Sequence, residues 1–144
     1  MRKAFAIALA IVLLASFGEA SHLKEFPKKH KVVYHLSDPD RARFTLGNIQ
    51  NHVDGVGGWQ NIEAIELVVH GPALTVFAEG RDAGVRQALE KLQAQGLAFG
   101  ACGNTMKAFN ISKEQLPGGA RLLPQGGVVR IMELQEQGYS YIRP

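Results

Sequence analysis

The stretch Leu97-Ala-Phe-Gly-Ala-Cys-Gly-Asn-Thr-Met106 decides how this chain folds and where its chemistry sits. An apolar, strand-like run passes into a turn and then into a helix start, and the only cysteine of the chain, Cys102, lies at the junction. A thiol in that position faces backbone N–H groups that no intrahelical carbonyl satisfies, together with the positive end of the helix dipole. Both favour thiolate over thiol and make the sulfur a better nucleophile. Taken without this context, a lone cysteine reads as a small buried hydrophobe.

Working outward, elements of two periods alternate. Lys31-Val-Val-Tyr-His-Leu-Ser37 is a β-branched and aromatic run that predicts a buried strand. Asp38-Pro39 predicts a helix start, with Asp38 as cap and Pro39 in the first turn. Ala42, Leu46, Ile49 and Val53 then form one apolar stripe, and the glycines from Gly55 to Gly58 end it. Ile62-Glu-Ala-Ile-Glu-Leu-Val-Val-His70 predicts a second strand, stopped by Gly71-Pro72. Ala73 to Ala78 is open between a short strand and a packed loop. Asp82 caps a helix carrying Val85, Ala88, Leu89 and Leu92, with Gly96 as its left-handed stop. Leu97 to Ala101 is a strand and Asn104 to Phe109 a short helix. Ser112 and Gln115 match a capping box. Ala120 to Pro124 is a short strand, Val128 to Gln137 a helix closed by Gly138, and Tyr139 to Ile142 a last strand. Such alternation predicts an α/β fold, a mostly parallel central sheet with helices on both faces.

Ligands of such sheets collect where strands end at their C-termini. That rule gathers Ser37 and Asp38, His70 and Gly71, and Cys102 to Thr105 along one edge, with His35 one pleat earlier and free to point either way. Gly103 permits close backbone approach, and the N–H groups of Gly103, Asn104 and Thr105 are placed to hold an anionic sulfur. Ordinary capping is the alternative for Asn104 and Thr105, and a plain surface position the alternative for Lys107. His70 relays protons, binds a partner group or closes its strand as a hydrogen-bonded rim residue. Asn48 and His52 share a helix face that lines a cleft, a subunit contact or solvent.

The N-terminus reads as an export signal over residues 1–20: Arg2 and Lys3, an apolar run from Ala4 to Phe17, then Gly18 and Ala20 before a cut near Ser21. As a helix that run is roughly 21 Å long, short of the roughly 30 Å hydrocarbon core, so no permanent membrane span is expected. Residues 21–30 form a lysine-rich lead-in and residues 31–144 one domain, held by packing because one cysteine makes no internal disulfide. From Val32 to Pro144 ten Lys and Arg face eleven Asp and Glu, which leaves no basic stripe for nucleic acid. No paired-cysteine knuckle and no His-Glu-x-x-His helix point to a metal, no Gly-x-x-x-x-Gly-Lys to a phosphate loop, and no Gly-x-Ser-x-Gly to a serine nucleophile. No cofactor is implied.

Lys31-Val-Val-Tyr-His-Leu-Ser37, Val69-His-Gly-Pro72, Phe99-Gly-Ala-Cys-Gly-Asn-Thr-Met-Lys107 and Gln137-Gly-Tyr-Ser-Tyr-Ile-Arg-Pro144 together resemble the DsrE/DsrF-like family of sulfur-relay proteins. The resemblance implies a three-layer α/β/α fold, homo-oligomers (trimer or hexamer), and Cys102 as the residue that accepts and donates sulfur as a persulfide. Donor and acceptor thiols or proteins would be its partners. Familiar members work in the cytoplasm, whereas the leader here predicts a periplasmic or secreted protein. Three readings follow: a sulfur carrier working through Cys102 with Gly103, Asn104, Thr105 and His70 around it, a non-catalytic oligomeric module that binds a small ligand or partner beside an inert cysteine, or a disulfide between chains through Cys102.

Overall fold

The computed structural model describes residues 28–144, so the leader and most of the lysine-rich lead-in lie outside the described residues. Five strands form one sheet: β1 (His30–Leu36), β2 (Ile62–Val69), β3 (Ala98–Cys102), β4 (Arg121–Leu123) and β5 (Ser140–Ile142). Every pairing is parallel, in the order β4-β3-β2-β1-β5. Four α-helices connect them: α1 (Ala42–Gly55), α2 (Ala83–Gln95), α3 (Gly103–Ala108) and α4 (Gly127–Glu136).

The order explains the layers. From β1 to β4 the chain steps in one direction across the sheet, and after β4 it turns back to place β5 beyond β1. Right-handed crossovers put connections that step in opposite directions on opposite faces. α1 and α2 therefore pack on one face and α4 alone covers the other. The core divides accordingly, because successive strand residues point to opposite sides. Val32, Tyr34, Leu36, Ile65, Leu67, Val69, Phe99 and Ala101 join the helix stripes in the larger cluster, and Val33, Val68, Leu123, Ile131 and Leu134 form the smaller one beneath α4.

The helix signals act as their chemistry requires. The Asp38 carboxylate accepts from Asp40 N–H at 2.9 Å, although the first turn, Pro39–Arg41, is a tight 3-10 turn before α1 begins. Asp82 accepts from Val85 N–H at 3.0 Å, and Gly96 stops α2 at φ +126°. The capping box of Ser112 and Gln115 is present. The segment left open at Ala73 to Ala78 is not a strand: Gly71–Phe77 is a 3-10 helix that buries Ala73, Leu74 and Phe77. Pro72 has no N–H to give a ladder, so apolar content here is spent on packing, with Phe77 against Phe99 at 5.2 Å between ring centroids.

Candidate functional site

The C-terminal ends of the strands line up as expected, with His35 near the end of β1, His70 just past β2 and Cys102 at the end of β3. α3 and α4 follow neighbouring strands but lie on opposite faces, so their starts diverge to either side of the sheet at Cys102, as they do where connections of such sheets switch direction. Two glycines allow the close fit. A side chain at Gly103 would meet the Leu123 carbonyl oxygen at 2.9 Å, and one at Gly127 would crowd His70 Cβ at 3.2 Å, Val68 Cγ1 at 3.3 Å and Cys102 Cβ at 3.5 Å.

The Thr105 hydroxyl and the backbone N–H groups of Thr105, Gly127 and Asn104 all act on Cys102 to favour its thiolate. The hydroxyl is already oriented, because its oxygen accepts Gly71 N–H at 2.8 Å and its proton is left for the sulfur. Cys102 is 5% exposed, and that burial is the largest single influence on the thiol, pushing its pKa up. The hydrogen bonds together outweigh it and bring the thiol below the ordinary cysteine value. Gly103 contributes the close approach expected of it. The Gly127 donor was not read from the sequence, although Gly126-Gly127 opening a helix straight after a strand was the available signal.

His70 joins the edge but not the sulfur. Its Nε2 lies 2.6 Å from His35 Nε2, and His35 Nδ1 lies 2.6 Å from the Tyr141 hydroxyl. His35 thus points to the α4 face, and Tyr141 is a neighbour that sequence reasoning missed, its place beside β1 being set by a strand order that periodicity does not reveal. Burial first, then His70 and Arg143, holds the His35 pKa down to about 4, and burial followed by Arg143 lowers that of His70. Ser37 accepts from Arg143 at 3.1 Å and lines a polar cleft of about 210 Å³ with His35, Asp38 and Arg41. Lys107 is exposed on an open apolar depression of about 520 Å³ with Met106, Ile111, Leu122 and Pro124, next to Gly103. Asn48 and His52 stay apart from the site: Asn48 donates to Phe44 C=O within α1, and His52 Nδ1 pairs with the Tyr34 hydroxyl at 2.9 Å. Among the described residues no group of three His, Cys, Asp or Glu is placed to hold a metal, and no helix is long and apolar enough to cross a membrane.

The sequence pattern of the DsrE/DsrF-like family matches residues 28–144, the whole described chain. The chain belongs to the DsrE/DsrF-like family. This family membership agrees with the all-parallel sheet and suggests a role related to sulfur relay. Among solved structures, MTH1491 of Methanobacterium thermoautotrophicum, described as a protein of unknown function, is similar at 28% identity with a TM-score of 0.67, over 81% of this chain and 100% of that one. The ychN protein of E. coli shares the fold at 17% identity and TM-score 0.56, over 81% and 99% of the two chains. BT1422 of Bacteroides thetaiotaomicron does so at 15% and 0.54, over 79% and 94%. No curated protein matches the chain significantly.

Proposed function

We propose that this DsrE/DsrF-like protein is a sulfur carrier whose nucleophile is Cys102. The observation that carries the reading is the placement of Cys102 at the end of β3 between the starts of α3 and α4, its Cβ 3.5 Å from where a Cβ on Gly127 would sit, with Thr105, Asn104 and Gly127 all favouring the anion. Donors so arranged stabilise Sγ as an anion, which is both the attacking and the leaving form in thiol chemistry. In loading, the Cys102 thiolate attacks the outer sulfur of a persulfide donor R–S–SH, Cys102–Sγ–SH forms, and R–S⁻ leaves. In delivery, an acceptor thiolate takes the outer sulfur and Cys102 departs as thiolate. The electron pairs move within the sulfur chain, so no external oxidant enters. Thr105, Asn104 and Gly127 hold the anion before loading and again after delivery.

Export as a periplasmic or secreted protein, with residues 1–20 removed near Ser21, belongs to this proposal, as does self-association. Incubation with a sulfane-sulfur donor followed by intact mass measurement tests the carrier. Wild type is expected to gain one sulfur atom and Cys102→Ser none; an unchanged wild-type mass would overturn it. The low exposure of Cys102 favours a second reading, a binding module whose cysteine is packed and inert. Alkylation of Cys102 only after unfolding supports that reading, and alkylation in the native state supports the carrier.

A further inference from the structure

Tyr141, His35 and His70 form a hydrogen-bonded chain that the carrier chemistry above leaves unused. The two imidazoles have centroids 4.7 Å apart and planes inclined by 25°, yet their Nε2 atoms are only 2.6 Å apart. The rings therefore meet edge to edge, nitrogen to nitrogen, instead of lying face to face. One proton occupies that bond, since two N–H groups pointed at each other would clash. Both nitrogens of His35 are engaged, Nε2 by His70 and Nδ1 by the Tyr141 hydroxyl. The outer end of the chain reaches solvent, because Tyr141 is 41% exposed. The inner end lies at the Cys102 edge: His70 Cβ and Cys102 Cβ are 3.2 and 3.5 Å from where a Cβ on Gly127 would sit, and the residue after His70 donates its N–H to the Thr105 hydroxyl, which also acts on Cys102.

We propose that Tyr141, His35 and His70 are a proton conduit that carries the acceptor thiol's proton from the Cys102 edge to solvent during sulfur delivery. The inference rests on the carrier reading. In the step it serves, the acceptor R–SH gives its proton to His70 Nδ1 while its sulfur attacks the outer sulfur of Cys102–Sγ–SH. The bond between Sγ and that outer sulfur breaks, R–S–SH leaves, and Cys102 remains as thiolate. His70 passes its Nε2 proton to His35 Nε2, His35 passes its Nδ1 proton to the Tyr141 oxygen, and Tyr141 releases its own proton to water. One proton enters and one leaves, and neither ring need rest as imidazolium. That feature suits the surroundings. Arg143 at the end of β5 disfavours positive charge on both rings, Arg41 shares the cleft with His35, and the nearby Asp38 carboxylate is engaged by Asp40 N–H.

The test compares wild type with Tyr141→Phe and His35→Gln, all loaded with sulfur and offered a low-molecular-weight thiol of pKa about 8.5 across pH 6 to 10. At pH 6.5 only about 1% of such a thiol is ionised, so loss of the conduit is expected to slow delivery about 100-fold there. The deficit should close above pH 9, where the acceptor ionises unaided. Superimposable wild-type and variant profiles would overturn the conduit. A wild type that takes up no sulfur would overturn the carrier reading and this inference with it, and differs visibly because no variant then delivers sulfur at any pH. ¹⁵N spectra of labelled histidine add a readout independent of transfer. Tyr141→Phe should shift the tautomer balance of His70, which Tyr141 does not touch, and an unmoved His70 would count against a connected chain.

Discussion

At Cys102 two opposed effects meet on one atom. Burial alone would make a thiol less acidic, and a free cysteine at the end of an apolar strand is the ordinary buried hydrophobe. The Thr105 hydroxyl is the strongest single counterweight, because it donates to sulfur while Gly71 N–H fixes its direction. A hydrogen bond to a charged group contributes about 1.5–3 kcal/mol, and 1.36 kcal/mol corresponds to one pKa unit. Thr105→Val should therefore raise the Cys102 pKa and move the inflection of its alkylation–pH profile upward, while Thr105→Ser restores most of the wild-type profile. The sequence shows the cysteine, the glycine that lets the chain approach, and the threonine. It does not show the sign of the balance, which depends on how deeply the sulfur sits and how many donors reach it.

At the scale of elements, the position of α4 decides whether the Gly127 N–H reaches the sulfur. A buried ion pair holds that helix to the sheet: Arg130 meets Glu66 with two hydrogen bonds, at 3.0 and 2.8 Å, and Glu66 is 2% exposed. Arg121 approaches the same carboxylate at 3.8 Å. Removing one partner of such a pair strands a buried charge at a cost of about 3–5 kcal/mol. Arg130→Met is expected to lower stability by that amount in denaturant unfolding, whereas Glu66→Leu together with Arg130→Met should recover most of it. The strands and long helices were legible because periods of 2 and 3.6 carry them, as in the stripe from Ala42 to Val53 and in Val85, Leu89 and Leu92. Glu66 stands among apolar residues of β2 with nothing beside it in sequence to mark it as half of an ion pair. Its partner lies 64 residues away, and no local pattern joins them.

Across the whole molecule, one helix covers a face that two cover on the other side, and its outer surface is apolar. Val128 is 66% exposed, Met132 51% and Val129 39%. Apolar residues clustered in this way mark an interaction surface, and we propose that a second copy of this chain covers it. Sedimentation should show an oligomer, and Met132→Lys should shift it toward monomer with little change in thermal stability. The parallel sheet and its layers were legible from the alternation of elements, but the strand order was not. Tyr141 consequently became a neighbour of His35 only in three dimensions. The net acidity of Cys102 gathers all these scales, since its donors come from α3 and α4 and its burial from the end of the sheet. The most direct test is the pH dependence of Cys102 alkylation in the native protein. The rate should hold steady as pH falls through the ordinary cysteine pKa of about 8.5 and then drop tenfold per pH unit below a lower inflection. An inflection at or above the ordinary value, or no reaction until the protein unfolds, would contradict a thiolate held by two helix starts.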